Sequence, residues 1–349
     1  MDVLRSTKAA SQPVAHAELR PLISVIVPTR DRPHFLREAL ESIRALEGPD
    51  FDLEIIVGDN GDMPQNMAIA EKYGAVYVKA QQGSGASVAR NAALYAATGQ
   101  YIAFLDDDDR WFPSHLRSHI ALLERRPELD AVMGQVVSAD HKLRPVGEAW
   151  PAKPPGEGEE LLRRMLSGYF PQIGSVVVRA SALETICMFD EKLIGGEDLD
   201  WLLRFARRHK LAAVQTKSVL FRGRTLGSCD QLQLDRSRYD RKVFLRHAVP
   251  EWRIWRSPLD MWRAHYGTLK HFYRYFVDCA VRSSARGDRL QALRAIWCAM
   301  QVFPLRTVYH LFKWRRLRMA FFGAVLPRPS RGADPTIHML MTVATLVHA

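Results

Sequence analysis

The chain has 349 residues, 47% of them hydrophobic and 25% charged, which suits one large domain with an appendage or two domains of ordinary globular composition. Four scattered cysteines (Cys187, Cys229, Cys279, Cys298) without a CxxC pair point to a reducing compartment and to neither a disulfide framework nor a zinc site. The net charge of +11 is uneven: residues 1–235 hold 28 Lys/Arg against 32 Asp/Glu, whereas residues 236–331 hold 21 against 5, and that shift predicts a domain boundary.

In chain order, residues 1–20 are polar, with no apolar stretch of the kind a signal peptide needs, and read as a loose lead-in. Leu22–Val27 is an apolar strand ended by Pro28-Thr29-Arg30-Asp31-Arg32-Pro33. Phe35, Leu36, Ala39, Leu40, Ile43 and Leu46 then keep helical spacing. Glu54–Val57 predicts a second strand, stopped by Gly58-Asp59-Asn60-Gly61. A helix over 67–73 and a strand over 75–78 follow. Gly83-Ser84-Gly85 lacks both common phosphate-loop patterns and reads as a turn. A small-residue helix over 87–97 leads to the strand Tyr101–Leu105, after which Asp106, Asp107, Asp108 and Asp109 come in sequence before Trp111.

Further on, the pattern predicts a helix over 115–123, strands over 131–137 and 174–179, and a Pro/Gly loop over 145–159. Gly195-Gly196-Glu197-Asp198 opens a helix carrying Trp201, Leu202 and Phe205. Alternating strands and helices predict an α/β fold with a mainly parallel sheet, in which ligands bind beyond the carboxyl ends of the strands. Pro28-Thr29-Arg30, Asp59-Asn60 and Asp106–Asp109 all stand at such ends, so a shared cleft is expected.

Two readings of the four acids stand side by side. One is a solvated acidic turn. The other is a cation site, because hard divalent ions take carboxylate oxygens together with substrate phosphates. Glu197 and Asp198 likewise read either as helix N-terminal acids, favoured by the dipole, or as site carboxylates.

Taken together, Pro28-Thr-Arg, Val57-Gly-Asp59, Ala89-Arg90-Asn91, Leu105-Asp-Asp-Asp-Asp-Arg-Trp111 and Phe189-Asp-Glu…Gly196-Glu-Asp198 resemble, in order, the motifs of family 2 inverting glycosyltransferases. The resemblance covers roughly residues 22–226. It implies the nucleotide-diphospho-sugar transferase α/β fold of GT-A type, its sheet sandwiched by helices, here followed by a C-terminal α-helical appendage. It implies a metal-dependent transfer of sugar from a nucleotide-diphosphate donor to a glycan or lipid-linked acceptor hydroxyl, as in polysaccharide or glycolipid synthesis, with Mg²⁺ or Mn²⁺ as cofactor.

Position by position, the resemblance places Pro28, Thr29 and Arg30 at the nucleotide base and Asp59 on the base edge. Arg90 falls near the nucleotide, and Asp106-Asp107-Asp108 on the DxD motif, with Asp106 toward the ribose and Asp108 toward the metal. Asp107-Asp108-Asp109 also fits that motif, so its register stays open. Asp198 matches the general base and Glu197 its neighbour. Trp201 fits a pocket aromatic or a core anchor, and Arg222 and Arg224 fall on a less regular segment. The rival readings are a sugar nucleotidyltransferase, which generally has a Gly-rich basic loop where this chain has Pro28-Thr29-Arg30, and a non-catalytic nucleotide-sugar-binding subunit.

The expected organisation is a lead-in over 1–20, a catalytic domain over 21–235, a basic amphipathic helical region over 236–331 and a tail over 332–349. Trp262, Tyr266, Leu269, Phe272, Tyr273 and Phe276 share one helical face, and Leu290 to Phe303 repeat the pattern. These helices either pack together or lie on an anionic membrane surface. No recognisable module accompanies the charge, so nucleic acid is not an expected partner. The expected location is cytoplasmic, at the inner face of the membrane if the helices bind it.

Overall fold

The computed structural model describes residues 20–81, 85–186, 188–193, 195–223, 230–248 and 254–325. The lead-in over 1–19, Gly83, Ser84, Cys187, Arg224, Cys229 and the tail over 332–349 lie outside the described residues. The first half alternates as expected: β1 (Leu22–Thr29), α1 (Pro33–Arg44), β2 (Asp52–Asp59), α2 (Gln65–Lys72), β3 (Val76–Lys79), α3 (Ala86–Ala96) and β4 (Tyr101–Phe104). There follow β5 (Arg110–Trp111), α4 (His115–Arg125), β6 (Ala131–Ala139), α5 (Glu159–Leu166), a 3-10 turn (Ile173–Ser175), β7 (Val176–Arg179), α6 (Ala180–Leu183), α7 (Glu197–Arg208) and β8 (Leu211–Arg222). The remainder is helical: α8 (Asp230–Ala248), α9 (Pro258–Ala285), α10 (Arg289–Val302), α11 (Pro304–Lys313) and α12 (Arg315–Val325).

Among the described residues the strands form one sheet in the order β3-β2-β1-β4-β7-β6-β8-β5. β3, β2, β1 and β4 run parallel, β7 enters antiparallel between β4 and β6, and β8 is parallel to β6. The sheet is thus mixed, with its parallel half carrying the strand ends of interest. β1 and β2 pair residue for residue from Leu22–Asp52 to Thr29–Asp59, so their polar ends finish side by side.

The sheet needs cover on both faces because its central strands are apolar throughout. In β1, Ile23, Val25 and Val27 enter the core under α1, α2 and α4, while Ile26 enters the opposite one, following the two-residue strand period. α1 turns Leu36, Ala39, Leu40 and Ile43 inward, and Pro33 opens it where no helical N–H is needed. Sequence periodicity did not predict β8, α5 or α8. β8 alternates only weakly, and α5 begins where the predicted Pro/Gly loop over 145–159 ends, in a stretch without an assigned element.

The helices after residue 236 share the opposite core. Phe244 of α8 and Phe272, Tyr273 and Phe276 of α9 belong to one buried cluster with Phe104, Trp201 and Phe205. Phe170 stacks against Phe272 at 6.0 Å, and Arg163 Nε donates to the Ile254 carbonyl at 2.6 Å. The position where the charge balance changes sign, residue 235, lies inside α8.

Trp201 is 1% exposed, stacked on Phe189 at 5.3 Å and edge-on to Phe104 at 5.5 Å. It anchors α7 to the sheet and does not line the cleft, so of its two expected roles the structure gives it the core one. Trp201→Ala should therefore cost about 3–5 kcal/mol of stability by leaving a cavity between sheet and helix. Denaturant unfolding followed by circular dichroism measures this, and a loss under about 1 kcal/mol would contradict the packing described.

Candidate active site

The chain leaves β4 through Leu105, whose N–H still bonds the Ile26 carbonyl of β1 at 3.0 Å, and the four acids then turn over the sheet edge. Their burial keeps the strand alternation: Asp107 and Asp109 are buried, whereas Asp106 and Asp108 are partly exposed. Each inward carboxylate has its own donors. Asp107 accepts from the Thr29 hydroxyl at 2.7 Å and from Arg32 Nε at 3.1 Å, with Arg32 Nη2 at 2.5 Å. Asp109 accepts from the Arg222 backbone N–H at 2.8 Å and from Gln172 Nε2 at 3.0 Å.

The outward pair is held by arginines. Arg32 Nη1 donates to Asp108 at 2.9 Å, and Arg90 Nη2 to Asp106 at 2.6 Å. The Arg222 guanidinium bonds the Asp108 carbonyl at 2.7 Å, pairs with Glu38 and lies over the Phe35 ring. Burial pushes the Asp107 carboxyl upward against the pull of Arg32, and burial together with the neighbouring acids raises Asp109 well above the usual carboxylate range.

Arg90 comes from α3, brought close by Gly58 of β2. A Cβ at Gly58 would lie 2.1 Å from the Ala89 carbonyl oxygen, so only glycine allows the helix this near the strand. Arg90 is 2% exposed and forks: Nη2 reaches Asp106, while Nη1 donates to Glu197 at the start of α7 at 2.8 Å. Burial disfavours its charge, yet Asp106 and Glu197 outweigh that and hold its pKa above the ordinary value.

α7 begins after Gly196, whose φ of +72° suits glycine. Asp198 uses one oxygen to accept the Leu199 N–H at 2.8 Å. Two residues on, Asp200 accepts from Arg204 at 2.8 Å and meets His247 Nε2 of α8 at 2.7 Å. This ties α7 to α8.

Around these groups lies a cleft of about 640 Å³. Pro28, Thr29, Arg30, Arg90, Asp106, Asp107, Asp108 and Glu197 of the expected residues line it. A smaller hollow of about 200 Å³ adjoins, lined among others by Asp106, Asp198, Trp150, Phe170 and Asp240. Asp106 borders both. Asp59 is not in the wall: it is fully buried, accepting from the Gly61 N–H at 2.7 Å and from Asn66 and Tyr77, each at 3.0 Å. Its neighbour Asn60 lines the cleft instead.

Carboxylate oxygens of Asp106, Asp108 and Asp109 come within 4.8 Å of one another, a donor set that fits Mg²⁺ or Mn²⁺. Of these three, Asp106 and Asp108 line the cleft, whereas Asp109 is buried on Arg222 and Gln172.

Asn60 lines the cleft as its polar cluster predicts, whereas several residues of this site carried no recognised motif: Arg32, Gln172, and Asp235 and Tyr239 of α8, which close one side of the cleft. Arg32 had a signal, a cation beside Pro33 in the chain's first polar strand end. Asp235 and Tyr239 had none, because a helix outside the alternating pattern brings them in.

Comparison with known proteins agrees with this geometry. The family model described as Glycosyl transferase family 2 matches residues 24–186. An uncharacterized glycosyltransferase of Methanocaldococcus jannaschii, MJ1057, is 28% identical over 203 residues, 56% of this chain and 69% of that protein. The chain spans 44% and 38% of the length of two further curated glycosyltransferases it matches. Among solved structures, S. aureus TarS 1-349 in complex with UDP-GlcNAc superposes with a TM-score of 0.56 at 18% identity, covering 86% of this chain and 90% of that one. The Pyrobaculum calidifontis mannosyltransferase PcManGT, in complex with GDP-Man and Mn²⁺, gives a TM-score of 0.51 at 16% identity over 95% and 82% of the two chains. The segment 24–186 that matches the glycosyl transferase family 2 model holds the acid cluster, Arg90 and the strand ends around which the cleft is built.

Proposed function

We propose that this chain moves a sugar from a nucleoside-diphosphate donor to an acceptor hydroxyl with inversion at the anomeric carbon, assisted by a divalent cation. The observation that carries this reading is the shared wall: Asp106 borders both the main cleft and the hollow that contains Asp198. A donor lying in the cleft and an acceptor in the hollow would thus meet beside Asp106.

In this reading Pro28, Thr29, Arg30 and Asn60 surround the nucleoside. Asp59 acts one step removed, fixing the Gly61 turn and Asn66. Asp106 and Asp108 would hold Mg²⁺ or Mn²⁺, which when bound supplies Lewis-acid charge to the diphosphate. Arg32, already against Asp108, adds positive charge at the same edge. Arg90 balances Asp106 and Glu197 and fixes the start of α7.

Asp198 takes the proton from the acceptor hydroxyl as its oxygen bonds the anomeric carbon. The bond to the diphosphate oxygen breaks on the opposite side, and its electron pair leaves with the nucleoside diphosphate. One displacement inverts the carbon. The acceptor is a glycan or a lipid-linked saccharide, and the excess of positive charge over 236–331 favours an anionic membrane as the place where it is met.

Two measurements test this site. Titration calorimetry with UDP and with GDP should show affinity rising ~tenfold or more with Mn²⁺, about 1.4 kcal/mol. Asp108→Ala should abolish the difference, and equal affinity with and without Mn²⁺ in the intact protein would reject the metal assignment.

Asp198→Asn keeps the side chain's shape but cannot accept a proton. Sugar transfer should fall ~10²–10⁴-fold, with nucleotide binding unchanged within about twofold. A variant keeping more than about a tenth of the turnover would move the base to another residue, with Glu197 next in line.

A further inference from the structure

Among the described residues, no helix is long and apolar enough to cross a membrane. α11 nevertheless presents its apolar face outward. Leu305, Val308, Tyr309 and Phe312 stand at i, i+3, i+4 and i+7, the spacing of one helix face, and are 86%, 41%, 57% and 73% exposed. A helix packed on a globular core turns such a stripe inward. Here the inward side carries two buried polar residues, Thr307 and His310, with Leu311 packed on the core beside them; the Thr307 hydroxyl donates to the Phe303 carbonyl at 2.9 Å, and His310 Nδ1 meets the Tyr273 hydroxyl at 2.8 Å. The stripe is therefore not a frayed or misdirected core face, because the opposite side is the one that fixes the helix.

The surroundings select the kind of partner. Residues 289–325 contain seven Lys/Arg and not a single Asp or Glu. Lys313, Arg315 and Arg316 follow the stripe directly and are exposed, as are Trp314 and Met319. On α9, Trp262 is 59% exposed and stacks on Tyr266, whose hydroxyl accepts from Arg306 of α11 at 3.0 Å, so this ring continues the same surface. An apolar stripe rimmed by aromatics and cations is the chemistry of a helix lying in the headgroup region of an anionic bilayer. An acidic protein partner would answer the charge but would leave Leu305 and Phe312 without a match. The remaining C-terminal helices do not share this design: α9 and α10 send most of their apolar residues into the common core.

We infer that α11, with the basic start of α12, is the element that seats the protein on an anionic membrane, the stripe Leu305–Phe312 entering the interface and Lys313, Arg315 and Arg316 meeting the headgroups. This deepens the membrane reading given above by naming the surface that makes the contact. The apolar stripe and the cations should act together, neither being sufficient alone.

Flotation of the full chain with phosphatidylcholine vesicles, with and without a third phosphatidylserine, tests the assignment at low salt and at ~0.5 M salt. The intact protein should float with the anionic vesicles, and the bound fraction should fall at least ~tenfold in high salt or without phosphatidylserine. Leu305→Glu with Phe312→Glu, and separately Arg315→Glu with Arg316→Glu, should each lower partitioning at least ~tenfold. All four positions are exposed, so the thermal melt should stay unchanged, as should release of sugar from a soluble nucleotide-sugar donor. Tyr309→Glu serves as a second stripe variant should the double one melt early. Absence of binding to anionic vesicles at low salt overturns the inference, as does stripe-variant partitioning equal to that of the intact chain. Conversion of a dimer to a monomer by the stripe variant, without vesicle binding by the intact protein, would identify a subunit contact instead. Loss of donor turnover in the intact protein would count against the enzymatic reading and leave the vesicle result standing.

Discussion

Four consecutive carboxylates at the end of a buried strand are the constraint around which this structure is arranged. Two such charges 4 Å apart repel by about 1 kcal/mol in water and about 4 kcal/mol at an effective dielectric of 20. The fold answers with Arg32 before α1, paired with Asp107 and Asp108, and Arg90 on α3, paired with Asp106, while Arg222 at the end of β8 gives its backbone N–H to Asp109 and its guanidinium to the Asp108 carbonyl. Strand alternation divides the acids into a buried pair, Asp107 and Asp109, and a half-buried pair, Asp106 and Asp108, and each of the four meets a protein donor.

Arg90 does more than neutralise. Its two terminal nitrogens reach carboxylates on different elements, one after β4 and one at the start of α7. A planar fork can hold both at fixed separation, which a lysine cannot do with a single nitrogen. The position of Arg90 depends in turn on the absence of a side chain at Gly58, so the distance between the two acidic groups traces back to a close helix–strand approach.

The helical C-terminal region belongs to the same physical unit in one respect and departs from it in another. α8 contributes Asp235 and Tyr239 to the cleft and is tied to α7 by the Asp200–His247 contact. α9 and α10 complete the core that covers one face of the sheet. α11 turns the apolar stripe Leu305, Val308, Tyr309 and Phe312 outward, and it does so where residues 289–325 carry no Asp or Glu. The wall of the cleft and the exposed apolar stripe thus use different helices of one basic segment.

The alternation of apolar runs with helical spacing in residues 22–105 was enough to predict the parallel half of the sheet and the common location of three polar clusters, because strand burial and helix amphipathicity are local, periodic properties. The order of motifs likewise carried the resemblance to the family whose model matches residues 24–186. Register among the four acids was not legible, since identical residues carry no information about direction, and only the pairing of β4 in the sheet decided which of them face inward. Trp201 had two open roles until packing against Phe104 and Phe189 gave it one. Asp59 stood at the right strand end, yet Asn66 and Tyr77, distant by 7 and 18 positions, claim its oxygens and leave Asn60 at the cleft. Contacts of that kind, and the outward turn of α11, depend on which surfaces meet in three dimensions, and no period in the chain encodes that.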